Sequence, residues 1–262
     1  MLRLPVRLSA ETFAVTWRYA NVGELPDALY VPMPGGEQDD PYASAHAELA
    51  AFAELRELAG DDRRGFTADL EGVYQMLAGA QEEYFAWIIG TDGFGVSALL
   101  ACHGGRAMLA VLDGNTVRIS QVNPDPGALV AALPAFPPAR FRPVSVPSAE
   151  LFETAPEELT GDAALLREVF ATRPIGKGQY YVAVRSPNGR RHIAPSPVNH
   201  IDPDPGRVLF YTTDNGGGEY ITAKPGTAEA IAEQLLRTRE DLVTGAPIPG
   251  QAGSPEHPAD RR

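Results

Sequence analysis

The chain has 262 residues and carries 22 Lys and Arg against 34 Asp and Glu, a formal charge of −12. That length suits one large domain or two small ones, and the charge argues against nucleic acid, whose recognition needs a cationic surface. With 44% hydrophobic residues it reads as globular, and its single cysteine, Cys102, excludes an intrachain disulfide and a cysteine-built zinc cage.

The N-terminal ten residues lack the apolar block of a signal peptide. Residues 9–20 then predict a helix, with Ser9 as its cap, Phe13, Trp17 and Ala20 at helical spacing, and Gly23 as its stop. Leu29-Tyr30-Val31 is a short extended piece. Two more helices follow: Ser44–Ala59, with Leu49, Phe52, Leu55 and Ala59 on one face, and a second capped by Thr67, with Leu70, Val73, Tyr74 and Leu77 as its stripe. The texture changes to strands at Tyr84–Ile89, Val96–His103, Arg106–Leu112 and Thr116–Val122, separated by glycine-rich turns. Val96 to Leu112 is the most apolar stretch, but His103, Gly104, Gly105 and Arg106 break it, so no membrane span is expected. A short helix from Pro126 to Leu133 and a proline-rich bridge, Pro134 to Pro147, close this half.

The same order then returns. Ser148–Thr154 and Asp162–Ala171 read as helices, Gln179–Arg185, Arg191–Val198, Arg207–Thr213 and Glu219–Thr222 as strands, and Thr227 to Val243 as a last helix. Arg106 to Asp113 aligns with Arg207 to Asp214, Tyr84 and Phe85 with Tyr180 and Tyr181, Ile119 with Ile221, and Pro126-Gly127 with Pro225-Gly226. These matches predict an internal duplication with halves at about 44–133 and 148–243 in one domain, 1–243. Strands that follow strands through tight turns are antiparallel neighbours, so the class is α+β. Residues 244–262, rich in proline and glycine, read as a disordered tail.

Catalytic patterns are sparse. Gly176-Lys177-Gly178 lacks the spacing of a phosphate loop. Cys102 and His103 are strand neighbours that point to opposite faces, so they form no dyad, and Cys102 reads as a small core residue. The histidines show no metal-ligand spacing. Asp202-Pro203-Asp204-Pro205 reads as a rigid turn rather than a paired-carboxylate site, and Glu54, Glu57, Asp61 and Asp62 as a solvated acidic surface. No catalytic residue, cofactor or metal is expected. The last helix is more telling. Ile231, Leu235 and Leu242 suffice for one buried face, and Leu236 and Val243 widen the stripe sideways; core packing accounts for such a stripe, and so does a helix that serves the sheet on one side and a helical partner on the other.

Gly178-Gln-Tyr-Tyr-Val-Ala-Val-Arg185, Asn188-Gly-Arg-Arg191, Ser196-Pro-Val-Asn-His-Ile-Asp202 and Gly206-Arg-Val-Leu resemble the EspG family of type VII (ESX) secretion-associated proteins. Trp17 with Gly23-Glu-Leu-Pro26, and Val111 to Val117, resemble its first half. The resemblance implies a central antiparallel β-sheet of two quasi-symmetric halves flanked by helical bundles. It also implies a non-enzymatic, cytoplasmic chaperone that masks the apolar helical tip of a secretion substrate, PPE-like or WxG-type, as a monomer or homodimer. Partner contacts are implied for a loop between early strands and for a C-terminal bundle. Carried onto this chain, these are Gly90–Gly95, with Asp92 and Phe94, and Ser148–Ala171 with Thr227–Val243. Two other readings remain at this stage: a hydrolase or transferase with a dispersed site, and an immunity-type binding module.

Overall fold

The structure, a computed structural model, describes residues 4–32, 41–90, 95–204, 206–214 and 218–245. Strand β1 (Val6–Ser9) leads directly into helix α1 (Ala10–Ala20), capped by the Ser9 hydroxyl, which accepts from the Thr12 N–H. A 3-10 turn, Asp27–Leu29, and helices α2 (Pro41–Ala59) and α3 (Arg63–Ala78) follow. Then come β2 (Glu82–Gly90), β3 (Gly95–His103), β4 (Arg106–Asp113), β5 (Thr116–Val122) and helix α4 (Pro126–Ala131). Gly104 and Gly105, at φ 56° and 75°, make the two-residue turn that sets His103 opposite Arg106. The second half holds β6 (Val144–Pro147), α5 (Ser148–Glu153), α6 (Gly161–Ala171), β7 (Gly176–Arg185), β8 (Arg191–Ile193), β9 (Val198–Asp202), β10 (Val208–Asp214), β11 (Glu219–Pro225) and α7 (Ala228–Thr244).

All eleven strands join one sheet in the order β1-β5-β4-β3-β2-β7-β9-β10-β11-β6, with β8 beside the end of β7. Read outward from the β2/β7 ladder, the two sides have the same plan. The registers agree as well. Tyr84 faces Leu100 as Tyr180 faces Val198, and Cys102 faces Ala107 as His200 faces Leu209. Ala110 faces Ile119 as Thr212 faces Ile221, and Val6 faces Ile119 as Val146 faces Ile221. In this register Arg106 and Asp113 do not correspond to Arg207 and Asp214; the alignment of like residues is one position out. Strand alternation puts Arg106 on the face of Met108, whereas Arg207 lies buried on the face of Leu209, the opposite side.

The sheet carries helices on both faces. On one face, α1 and α3 bring Phe13, Trp17, Leu70, Tyr74 and Leu77 onto Leu99, Ala110 and Ile119 of the first half. On the same face of the second half, α5 and α6 bring Leu151 and Leu166 onto Val208 and Ala223. On the other face, α4 and α7 lie across the centre and pack Leu129, Ile231 and Leu235 on Tyr84, Leu100, Tyr180, Val182 and Leu209. The expected bundle of Ser148–Ala171 with Thr227–Val243 therefore does not form, because its two parts sit on opposite faces.

Other local expectations change for identifiable reasons. Asp62, not Thr67, caps α3: its carboxylate accepts from the Gly65 N–H at 3.0 Å, while the Thr67 hydroxyl donates back to the Arg63 carbonyl. Asn21, in the left-handed region at φ 50°, ends α1 ahead of Gly23. The strand expected over Arg191–Val198 is split into β8 and β9, since Pro195 and Pro197 carry no N–H for a ladder. Strand β6 lies within the proline-rich bridge. Glu54 is no solvated charge; it accepts from the Ser9 N–H and hydroxyl and from the Thr12 hydroxyl, at 2.8, 2.7 and 2.6 Å, and so clamps α2 to the start of α1. The C-terminal tail, from residue 246 on, lies outside the described residues.

Candidate functional site

Among the described residues, the helices of the first face leave the middle of the sheet uncovered. Ser97, Trp87, Gln179, Asn199 and Phe210 form one row across β3, β2, β7, β9 and β10, all facing the same way. One end of the row is covered where the Ser97 hydroxyl donates to the Ala28 carbonyl of the 3-10 turn. The other end is covered where Phe210 meets Phe170 of α6, ring centroids 5.0 Å apart. Between them Gln179 is exposed and Trp87, Tyr181 and Asn199 are half-buried.

Two covered strands four spacings apart stand about 19 Å from each other. A helix laid over β7 would run about 10 Å from either wall, the distance at which helices pack. The bare strip is thus a trough one helix wide.

Its floor is aromatic and neutral. Phe85, Trp87 and Tyr181 form a cluster in which Phe85 stacks on Tyr181 and both meet Trp87 edge-on, at 5.5 Å. Gln179 donates an amide hydrogen to the Asn199 carbonyl oxygen at 3.2 Å. Toward one end, which we call the mouth, lie Ile89, 45% exposed, Ile175, 50% exposed, and the exposed Lys177 opposite Ile89. Ile193 of β8 stays 42% exposed near the inner end. There a cavity of about 400 Å³ is lined by residues 22–27, Leu77, Glu83, Arg185 and Arg191. Glu83, buried, binds Arg191 at 2.8 Å and Arg185 at 3.4 Å, and the Arg191 guanidinium lies over the Phe85 ring.

Beneath the floor a buried polar cluster fixes β7, β9 and β10. Arg207 donates twice to Asp202, at 2.7 and 2.8 Å, and once to the Pro134 carbonyl. Gly178 faces His200 in the ladder, and a Cβ at Gly178 would collide with the His200 ring and with Ile88. A Cβ at Gly206 would meet the Pro138 backbone at 2.6 Å. The Gly-Gln, Asp202 and Gly-Arg features of the sequence are therefore packing devices of the trough.

The residues proposed from sequence fall in different places. Asp92 and Phe94 lie outside the described residues, but Gly90 and Gly95, which flank them, stand at the mouth. Leu236 and Val243 are 42% and 56% exposed on one flank of α7, on the far face of the sheet. The C-terminal half of α7 is tied by Arg239 to Glu82, at 2.5 Å. Glu82 and Gly90 are the two ends of β2, about 26 Å apart at the usual strand rise. The end of α7 that carries Val243 thus lies near the Glu82 end of β2, far from Gly90 and Gly95.

The trough itself was missed by the sequence reading, though a signal was present. In β7, Lys177 and Gln179 are exposed while Gly178, Tyr180 and Val182 are buried. A central strand with one polar face means a strip that no helix covers.

Ser186 Oγ lies 3.4 Å from His192 Nε2 in the exposed turn after β7, but its hydroxyl is donated to Asn188 Oδ1 at 2.6 Å rather than to the imidazole. Among the described residues no group of three or more His, Cys, Asp and Glu side chains could hold a metal. Cys102 is buried, and burial together with nearby Glu82 pushes its thiol up to about 12. No helix of the described residues is long and apolar enough to cross a membrane.

An antiparallel sheet whose strand order repeats on either side of the β2/β7 ladder, with helices on both faces, defines an α+β fold of two like halves. The chain belongs to the EspG family, whose model matches residues 9–237. The fold is also that of a solved structure of the Mycobacterium tuberculosis type VII secretion system chaperone EspG5, determined in complex with a PE25–PPE41 dimer. The TM-score is 0.64 at 15% identity, over 90% of this chain and 95% of that one. No curated protein matches the chain.

Proposed function

We propose that this protein is a substrate chaperone of a type VII secretion system and that the trough holds the apolar helical tip of a PE–PPE-like pair or a related helical substrate. The observation that carries this reading is the width of the bare strip between the 3-10 turn and α6, which fits one helix. Its aromatic floor and the isoleucines at the mouth offer an apolar seat, and the amides of Gln179 and Asn199 offer hydrogen bonds to a helix end. An exposed helical tip is an aggregation hazard, and a carrier of strongly negative charge keeps the masked complex dispersed. The reading keeps Asp92 and Phe94, whose described neighbours Gly90 and Gly95 stand at the mouth, as partner contacts and leaves Leu236 and Val243 outside. In it the chain acts in the cytoplasm, uses no cofactor and catalyses no reaction.

The test is co-expression with a PE–PPE-type pair from the same genome, followed by amide hydrogen exchange of the complex. Protection confined to β2, β7, β9 and the 3-10 turn supports the trough. A complex that protects only α7, or no complex with any such pair, overturns it.

A further inference from the structure

Among the described residues His200 is the histidine sealed in the core: its side chain is 0% exposed, and neither ring nitrogen has a hydrogen-bond partner. It occupies the space that Gly178 leaves, beside Tyr180, whose hydroxyl is also unpartnered. The nearest carboxylate, Asp202, lies 3.8 Å from Nε2 but is committed to Arg207 through two hydrogen bonds. The groups that face the imidazole are thus Tyr180 from β7, Asp202 from β9 and Arg207 ahead of β10. The charged groups that act on it are Arg207, which disfavours its protonation, and Asp202, which favours it.

The position couples two parts of the molecule. On the other side of β9, Asn199 and Ile201 form trough floor and wall. On the His200 side, the Arg207 carbonyl accepts from the Gly226 N–H at 2.8 Å, which anchors the start of α7.

We propose that His200 is a proton-sensitive strut beneath the trough: acidification charges it, loosens β9 and the start of α7, and deforms the floor. A second cation buried beside Arg207 has no counter-charge to spare, because Asp202 is already committed. Where the trough holds a helical substrate, which rests on the chaperone reading above, that deformation releases it.

The sign follows from the neutral state. Burial, then the positive charge of Arg207, hold the imidazole down at about 4, against about 6.5 in an unfolded chain. Stability is therefore complete above pH 6.5 and is lost as pH falls toward 4. At pH 5 the folding equilibrium constant drops about 30-fold through this one group.

The experiment uses the full chain without partner. Urea unfolding at pH 7.5 and 5.0 is compared for the native protein and His200→Asn, with ring-proton NMR titration and amide exchange of the native protein. The native protein should lose about 30-fold more of its folding constant than the variant between the two pH values. Its His200 resonance should titrate near 4, with exchange rising at pH 5 in β9 and early α7. A resonance that titrates near 6.5, or the same pH dependence in both proteins, overturns the proposal. If His200→Asn does not fold, the titration and the exchange map decide. Because no partner is present, failure here leaves the chaperone reading standing, and failure to capture a substrate leaves the strut standing.

Discussion

Phe85 of β2 and Tyr181 of β7 face each other in the ladder at the centre of the sheet, their rings stacked 5.4 Å apart and 8° from parallel. Each holds the place in its own half that the other holds in the opposite half. The pseudo-symmetry axis of the sheet therefore passes between them, and they form both the joint of the two halves and the deepest part of the trough floor. Phe85 is almost fully buried, whereas Tyr181 keeps one side open to the trough.

This joint makes the two rings unequal in mutation. Phe85→Ala should cost about 3–5 kcal/mol, the range for a buried phenylalanine. Tyr181→Phe should leave stability within about 0.5 kcal/mol, since the stack survives. Urea unfolding of both variants checks the contrast, and equal losses would show that the stack is not the joint.

The buried pair of Asp202 and Arg207 should be far more sensitive than its place in a turn implies. Their side chains are 7% and 6% exposed, so removing one partner strands a charge. Asp202→Asn is expected to destabilise by about 3–5 kcal/mol, and the double change to Asn and Met by less. Calorimetric melts of the two variants test this. A double variant weaker than the single one would count against the pair as the source.

Much of the fold is legible in the sequence because short-range chemistry dictates it. The Gly104-Gly105 and Gly114-Asn115 turns, the alternation of Phe85 with Tyr84 and the apolar stripes of α1 and α3 all act within a few residues. The register of the halves is not legible by identity. Arg106 and Arg207 look alike, yet one is exposed and the other is spent on Asp202. The short edge strands β1 and β6 carry no signal of their own, because four residues cannot show a period. The trough escapes for another reason: its floor comes from β2, β7 and β9 and its walls from residues 27–29 and 161–171, which only the tertiary fold brings together.

Cys102 should behave as core. With its thiol pushed up to about 12, it carries almost no thiolate at pH 8. Reaction with a thiol reagent should appear only as the chain unfolds, following the urea transition. Cys102→Ala should cost about 1–2 kcal/mol through the small cavity. Rapid labelling of the folded protein would instead reveal an opening of α4 and α7 from the sheet.

The decisive prediction sets the two faces of the sheet against each other. Ile89→Glu with Ile175→Glu places charge at the mouth of the trough. Leu236→Glu with Val243→Glu places the same charge on the flank of α7. All four side chains are at least 42% exposed, so none of these changes should move the melting temperature by more than a degree or two. If a substrate helix enters the trough by its mouth, the first pair should weaken capture of a PE–PPE-type partner by roughly 2 kcal/mol or more, about 30-fold in affinity. The second pair should leave capture unchanged, because α7 lies across the far face with its C-terminal half tied to the Glu82 end of β2. Titration calorimetry of the four-protein set, native and both pairs with the isolated trough variant Trp87→Glu as the fourth, reads the outcome directly. Loss of binding in the α7 pair alone would move the partner to the other face, where the width of the apolar stripe on that helix would then be its explanation.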